Sequence, residues 1–290
     1  RQAAALLAAM AAAAAGAWWV LRPTTPPTTA PAKPTPTVAA TASVAIAPAT
    51  PDDMVAIGAG TLAMGCVEPD SACDDDEKPL HRVHVDAFLI DRTEVTAEAY
   101  KRCVVAGHCS ATDVDKSGAA PSLRCNFNSA RRGHPMNCVD YNEAAAFCRW
   151  VKKRLPTEAE WERAGRGDGD AVFTWGSQAP SCERAVMHDA AGPGCGTEST
   201  LPVDSKPKGA SPLGVLGLAG NVKEWVADWY DKGLYSRSPP RNPYGAVPGK
   251  YRVWRGGSWT NTKPKYLRVS NRGYQTPDNR SHSRGFRCAR

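Results

Sequence analysis

Ten cysteines constrain this chain more than any other feature. Most fall in close couples, Cys66 with Cys73, Cys103 with Cys109, Cys125 with Cys138 and Cys182 with Cys195, which leaves Cys148 and Cys288. Five disulfides formed in an oxidising compartment are the economical account. Zinc is the competing account, but the chain has no Cys-x2-Cys pair, and no cysteine couple comes with a histidine pair at ligand spacing. Spacing alone leaves the connectivity open.

The chain divides into three stretches. Residues 1–22 hold a run without charge from Gln2 to Leu21, rich in alanine and flanked by Arg1 and Arg22. Its length suits a membrane span, and Trp18 and Trp19 suit an interface. A signal peptide and a soluble alanine-rich helix are the competing readings. Residues 23–53 are mostly Pro, Thr and Ala, too poor in apolar surface to fold, and read as a disordered, extended linker. Residues 54–290 form the folded domain. A span followed by such a spacer resembles a stalk, so the expected location is membrane-anchored with the domain extracytoplasmic, periplasmic or on the cell surface. A further domain ahead of Arg1 is an additional expectation.

Within residues 54–290 the pattern is α+β. Val55 to Gly65 reads as a strand, a turn and a second strand, and His81 to Ile90 alternates with the period of a half-buried strand. Thr96 is placed to cap a helix ending near Gly107. Asp140 and Glu143 form one capping box, and Thr157 and Glu160 form a second before a helix that stops near Gly165. After the first box, Tyr141, Ala144, Ala145, Cys148 and Val151 share a helical face, which turns Cys148 inward. The abundance of Gly, Pro and Trp (25, 24 and 9 residues) points to much irregular backbone, with large rings filling the core.

The formal net charge is +7, and from Lys250 to Arg290 the only acid is Asp278. A basic patch of this kind is what nucleic-acid binding requires, but an oxidised extracytoplasmic domain gives no occasion for it, and no nucleic-acid partner is expected. Glu158, Glu160 and Glu162 at a helix start read as capping and dipole-favouring groups rather than acid/base pairs. His81 and His84 fall on opposite faces of a strand and make poor metal partners for each other.

Six motifs occur in order: Thr61-Leu-Ala-Met-Gly65, Glu94-Val-Thr96, Arg154 to Glu162, Gly220 to Trp225, Arg255-Gly-Gly-Ser258 and Gly285-Phe-Arg-Cys288. In that order they resemble the formylglycine-generating enzyme, or sulfatase-modifying factor, family across residues 54–290. The resemblance implies a single domain with little regular secondary structure, related to the C-type-lectin-like fold. It also implies that the helix cysteine and the cysteine of the final Gly-Phe-Arg-Cys are bonded, and Cys148 and Cys288 occupy those places.

The family's oxidase chemistry rests on two thiolates that hold copper(I), a soft ion suited to soft ligands. Counted from Gly-Gly-Ser, those positions fall on Asn261 and Tyr266. Neither supplies a thiolate, so copper is not expected. The resemblance also implies a calcium loop in which Glu224 gives a carboxylate and Gly220 and Val222 give carbonyls. A further side-chain ligand falls on Gly217, which has none. Trp259, Asn261, Tyr266, Arg268, Asn271 and Arg272 would line the family's substrate cleft. The leading expectation is therefore a membrane-tethered bacterial domain without the copper centre, binding a peptide, glycan or protein ligand in a sensor or interaction role. Fusion of this family to bacterial protein kinases makes a sensor role natural. The alternative is a protein-modifying oxidoreductase of the same class with a divergent site, and a scaffold module is a third reading.

Overall fold

The computed structural model describes residues 53–68, 70–111, 124–245 and 247–290. The expected span at residues 2–21 and the linker up to residue 52 lie outside them. Among the described residues no helix is long and apolar enough to cross a membrane.

Among the described residues, eight short strands and three α-helices carry the fold, with irregular backbone between them. Strands β1 (Met54–Ile57), β2 (Gly60–Met64), β3 (His81–Val85) and β4 (Phe88–Asp91) form two antiparallel pairs, one nested in the other along the chain. In β2–β3, Gly60 faces Val85 and Met64 faces His81. In β1–β4, Met54 faces Asp91. The continuous alternation from His81 to Ile90 is thus broken at Asp86–Ala87, where β3 and β4 leave for different partners. Ile57, Leu62, Met64, Val83, Val85 and Ile90 pack into one buried cluster with Trp161, which is the reward for placing alternate residues on one face.

The three helices start where the sequence marks them. Helix α1 (Ala97–Val105) is capped by the Thr96 hydroxyl, which accepts from the Ala99 amide. Both expected capping boxes form, Asp140 with Glu143 on α2 (Tyr141–Trp150) and Thr157 with Glu160 on α3 (Glu158–Arg166). Each satisfies otherwise unpaired N-terminal donors from within the helix. Helix α2 buries Ala144, Phe147 and Cys148 against Tyr100, Trp225 and Phe286.

The remaining strands, β5 (Lys223–Trp229), β6 (Arg252–Arg255), β7 (Arg272–Gln275) and β8 (Arg284–Phe286), make a four-stranded sheet in the order β7-β6-β5-β8. Strand β8 runs parallel to β5 and the other pairs are antiparallel. The buried tryptophans that fill the irregular core each donate their ring N–H: Trp161 to Glu224, Trp225 to the Val139 carbonyl and Trp259 to the His282 carbonyl.

All ten cysteines are bonded, so none offers a thiolate to zinc while the disulfides stand. The four local couples pair as adjacency suggests, and Cys148 in α2 bonds Cys288 just past β8.

Part of the basic surplus of the last forty residues lies inside the protein, where Arg255, Arg268, Arg272, Arg284 and Arg287 are buried. Arg255 bridges Glu158 and Glu162 at 2.7 and 2.6 Å, Arg272 holds Glu158 in a fork, and Arg287 does the same to Glu224. Arg268 pairs with Glu77 and Asp70. Glu158 and Glu162 are therefore buried counter-charges, and only Glu160 acts as the expected cap, with Arg154 across its carboxylate.

Candidate functional site

The segment after Gly-Gly-Ser258 descends from β6 into a short 3-10 turn, Pro264–Leu267, and then returns to β7. Asn261 folds its side chain back: its Oδ1 accepts from the Ser258 amide at 2.8 Å and from the Ser258 hydroxyl at 3.1 Å. Its carbonyl accepts from the His188 amide. Tyr266 is half-buried on the 3-10 turn, with the Lys265 ammonium 5.3 Å from its ring centre. These two residues reach the surface.

The other four expected cleft residues do not line an open surface. Trp259 is 1% exposed and serves the core. The guanidinium of Arg268 donates to Glu77, Asp70 and Ser270 and is 1% exposed as a residue. Asn271 is buried and donates to Glu77 at 3.4 Å. Arg272 is clamped by Glu158 and donates to the Asp76 carbonyl. The family resemblance implies polar cleft groups here; the acids that bury Arg268, Asn271 and Arg272 lie 114 to 198 residues away in the chain, where no local pattern announces them.

The family-implied copper does not fit these residues. Asn261 and Tyr266 offer hard, neutral or weakly acidic donors, and every cysteine sulfur is held in a disulfide, so no thiolate is available for a soft ion. Calcium at Glu224 does not fit either. One carboxylate oxygen of Glu224 accepts from Trp161 and Arg287, and the other accepts from a second Arg287 nitrogen. The carboxylate is already neutralised and directed. Gly220 and Val222 sit in the same loop, with Gly220 at φ +87 and so close to Val186 that a Cβ would meet its carbonyl at 2.5 Å.

The Gly217 position, where the family's further side-chain ligand falls on a residue that has no side chain, is filled by a neighbour. A Cβ on Gly217 would stand 2.3 Å from Oε2 of Glu94. Glu94 is 1% exposed; its Oε1 accepts from Asn221, and Oε2 has no hydrogen-bond partner. Burial pushes its carboxyl up to about 8, with the nearby Glu224 charge adding to the effect and Arg287 opposing it. Because the unfolded chain ionises Glu94 near the ordinary carboxylate value, the folded state holds the extra proton between that value and about 8. Stability from this group is fully present at low pH and lost as pH rises through that window. Replacing Glu94 with Gln is expected to flatten this fall, a difference on the order of 4 kcal/mol across the window. Urea unfolding of both proteins from pH 5 to 9 reads it directly; parallel curves would show that Glu94 stays ionised.

Residues 40–290 match the family described as the sulfatase-modifying factor enzyme 1-like domain. This chain belongs to the sulfatase-modifying factor family. It is 34% identical to the formylglycine-generating enzyme of Streptomyces coelicolor, covering 89% of this chain and 95% of that protein. It is also 34% identical to the serine/threonine-protein kinase pkn1 of Chlamydia pneumoniae, covering 82% of this chain but 38% of the kinase. Among solved structures it is similar to PvdO from Pseudomonas aeruginosa, with a TM-score of 0.69 and 28% identity over 82% of this chain and 93% of that one. The motifs that carry the family pattern are the ones that build the buried charge network: Arg255 of Arg-Gly-Gly-Ser, Glu158 and Glu162 of the α3 motif, Glu224 of Gly-Asn-Val-Lys-Glu-Trp and Arg287 of Gly-Phe-Arg-Cys.

Proposed function

We propose that this chain is an extracytoplasmic member of the sulfatase-modifying factor family that has given up the copper(I) dithiolate chemistry and binds a peptide, glycan or protein ligand. The observation that supports it is the pairing of all ten cysteines, with Asn261 and Tyr266 standing where the family's copper thiolates fall. Oxygen activation on copper(I) needs soft thiolate ligands, and five disulfides suit an oxidising compartment outside the cytoplasm. Residues 2–21 are the proposed tether, and the surface presenting Asn261 and Tyr266 is the proposed contact region. A half-buried tyrosine preceded by Lys263 and Lys265 supplies aromatic area and positive charge, which suits recognition.

The test takes the chain with its disulfides closed. Alkylation under denaturing, non-reducing conditions followed by intact mass is expected to modify no cysteine. Anaerobic incubation with copper(I) is expected to leave no metal bound, and a cysteine-containing sulfatase peptide is expected to keep its mass. Conversion of that cysteine to formylglycine would return the protein to the oxidase class. For the binding half, a peptide and glycan array is expected to yield a ligand whose retention falls at least about tenfold in Tyr266→Ala, the scale of one interface anchor. An array on which the native and Tyr266→Ala proteins behave alike would refute that half.

A further inference from the structure

The loop between β2 and the short turn Asp75–Glu77 contains a group of metal-ligating side chains that no part of the proposed function uses. Ligand atoms of Cys66, Asp70 and Cys73 all lie within 4.8 Å of one another. Both cysteines are half-buried. By contrast, Cys103, Cys125, Cys138, Cys148 and Cys288 are 5% exposed or less. The bond closes a separation of only 7 residues, so opening it releases little of the chain.

Two further observations point to a ligand. The Asp70 carboxylate is oriented from both sides, Oδ1 by the Ala72 amide at 3.0 Å and Oδ2 by Arg268 at 2.7 Å. The same Arg268 nitrogen lies 3.4 Å from Sγ of Cys73 and donates toward it. An N–H donated to a metal-bound thiolate is the kind of outer contact that fixes and tunes thiolate sites. The loop is also acidic, with Asp74, Asp75, Asp76 and Glu77 following Cys73. Such surroundings disfavour two bare thiolates and favour them once a cation is bound between them.

We propose that Cys66, Asp70 and Cys73 form a redox-gated metal site, closed while the disulfide stands and open, once it is reduced, to a thiophilic divalent cation such as Zn2+. Opening takes two electrons and two protons. A dithiol reductant supplies both and leaves as its disulfide, while the S–S bond becomes two thiols. The cation then displaces the two thiol protons to solvent. Two thiolates and one carboxylate carry three negative charges, the metal balances two, and the third shares Arg268 with Glu77. The fourth position of a tetrahedral ion is left to water or to a ligand atom from a partner. The site lies against the segment that presents Tyr266, since Lys265 pairs with Asp74 and Arg268 with Asp70.

The test uses the full chain, a phosphine reductant and Co2+ as the probe. Alkylation and peptide mass identify which disulfides have opened, and near-ultraviolet circular dichroism follows the fold. The expected result is that Cys66–Cys73 opens with the fold retained and that thiolate-to-cobalt absorption then grows to one equivalent and is displaced by Zn2+. The unreduced chain gives no such band. Cys73→Ser is expected to abolish it, and Asp70→Asn to weaken affinity by at least the roughly tenfold that loss of an outer contact alone produces. The Cys182→Ser/Cys195→Ser protein, which lacks the other half-buried pair, is expected to bind as the native chain does. A band that survives in Cys73→Ser, no band after Cys66–Cys73 has opened, or loss of the fold before cobalt binds would each overturn the assignment.

Discussion

Arg255→Met is expected to destabilise the domain by about 3–5 kcal/mol, a large part of the margin of an ordinary domain. Arg255 is fully buried and donates to Glu158, Glu162, the Tyr235 hydroxyl and the Val269 carbonyl. Methionine fills similar space but leaves two carboxylates with less compensation in a site closed to water. Glu162 keeps Arg166, and Glu158 keeps Arg272. Asp228, whose oxygens accept from the Glu158 and Gly245 amides, is held up to about 7 by burial and by the Glu158 charge. Urea midpoints at neutral pH measure the effect. Neutralising an acid in the same background, as Arg255→Met/Glu162→Gln, is expected to recover part of the loss, because removing both members of a buried pair is far less damaging than stranding one. A single-variant loss below about 1 kcal/mol would mean that the network is wetter than its burial implies.

That network explains what was legible in the sequence and what was not. Helix starts were readable because a cap is chemistry between residues three apart: Thr96, Asp140 with Glu143, and Thr157 with Glu160 all do what their spacing announces. The local cysteine couples were readable for the same reason, and the Cys148–Cys288 bond followed from the family resemblance. Long-range pairing was not readable. Glu158 reads as a helix-start acid because nothing near it in sequence shows Arg255 and Arg272, which meet it from separations of 97 and 114 residues. The same blindness placed Arg268, Asn271 and Arg272 in an open cleft, when Glu77 and Glu158 draw them inside. The resemblance also implies calcium at Glu224, a carboxylate that Arg287 occupies on both oxygens. A family motif suggests a carboxylate ligand, whereas its availability depends on which cation the fold brings to it first.

Cys148→Ala/Cys288→Ala is expected to be at least as damaging, with a loss near 5 kcal/mol. In the chain-entropy account, closing a long loop restricts the unfolded ensemble more than closing a short one. For the separation of 140 residues here this gives about 5 kcal/mol, against about 2.5 kcal/mol for the separation of 7 between Cys66 and Cys73. The native state adds its own term, because both sulfurs are fully buried among Tyr100, Phe147 and Phe286, and truncation leaves a cavity there. Other contacts hold the same junction. The Cys288 amide donates to Asp91, whose carboxylate also takes Lys153, and Ala289 exchanges backbone hydrogen bonds with Arg154. These keep the chain end in place in the folded state but do nothing to restrict the unfolded one. Guanidinium unfolding of this variant beside Cys66→Ala/Cys73→Ala, without reductant, separates the two contributions. If the long-loop variant loses no more than the short-loop one, the packing of α2 against β8 holds this junction, and the bond between them is a lesser brace.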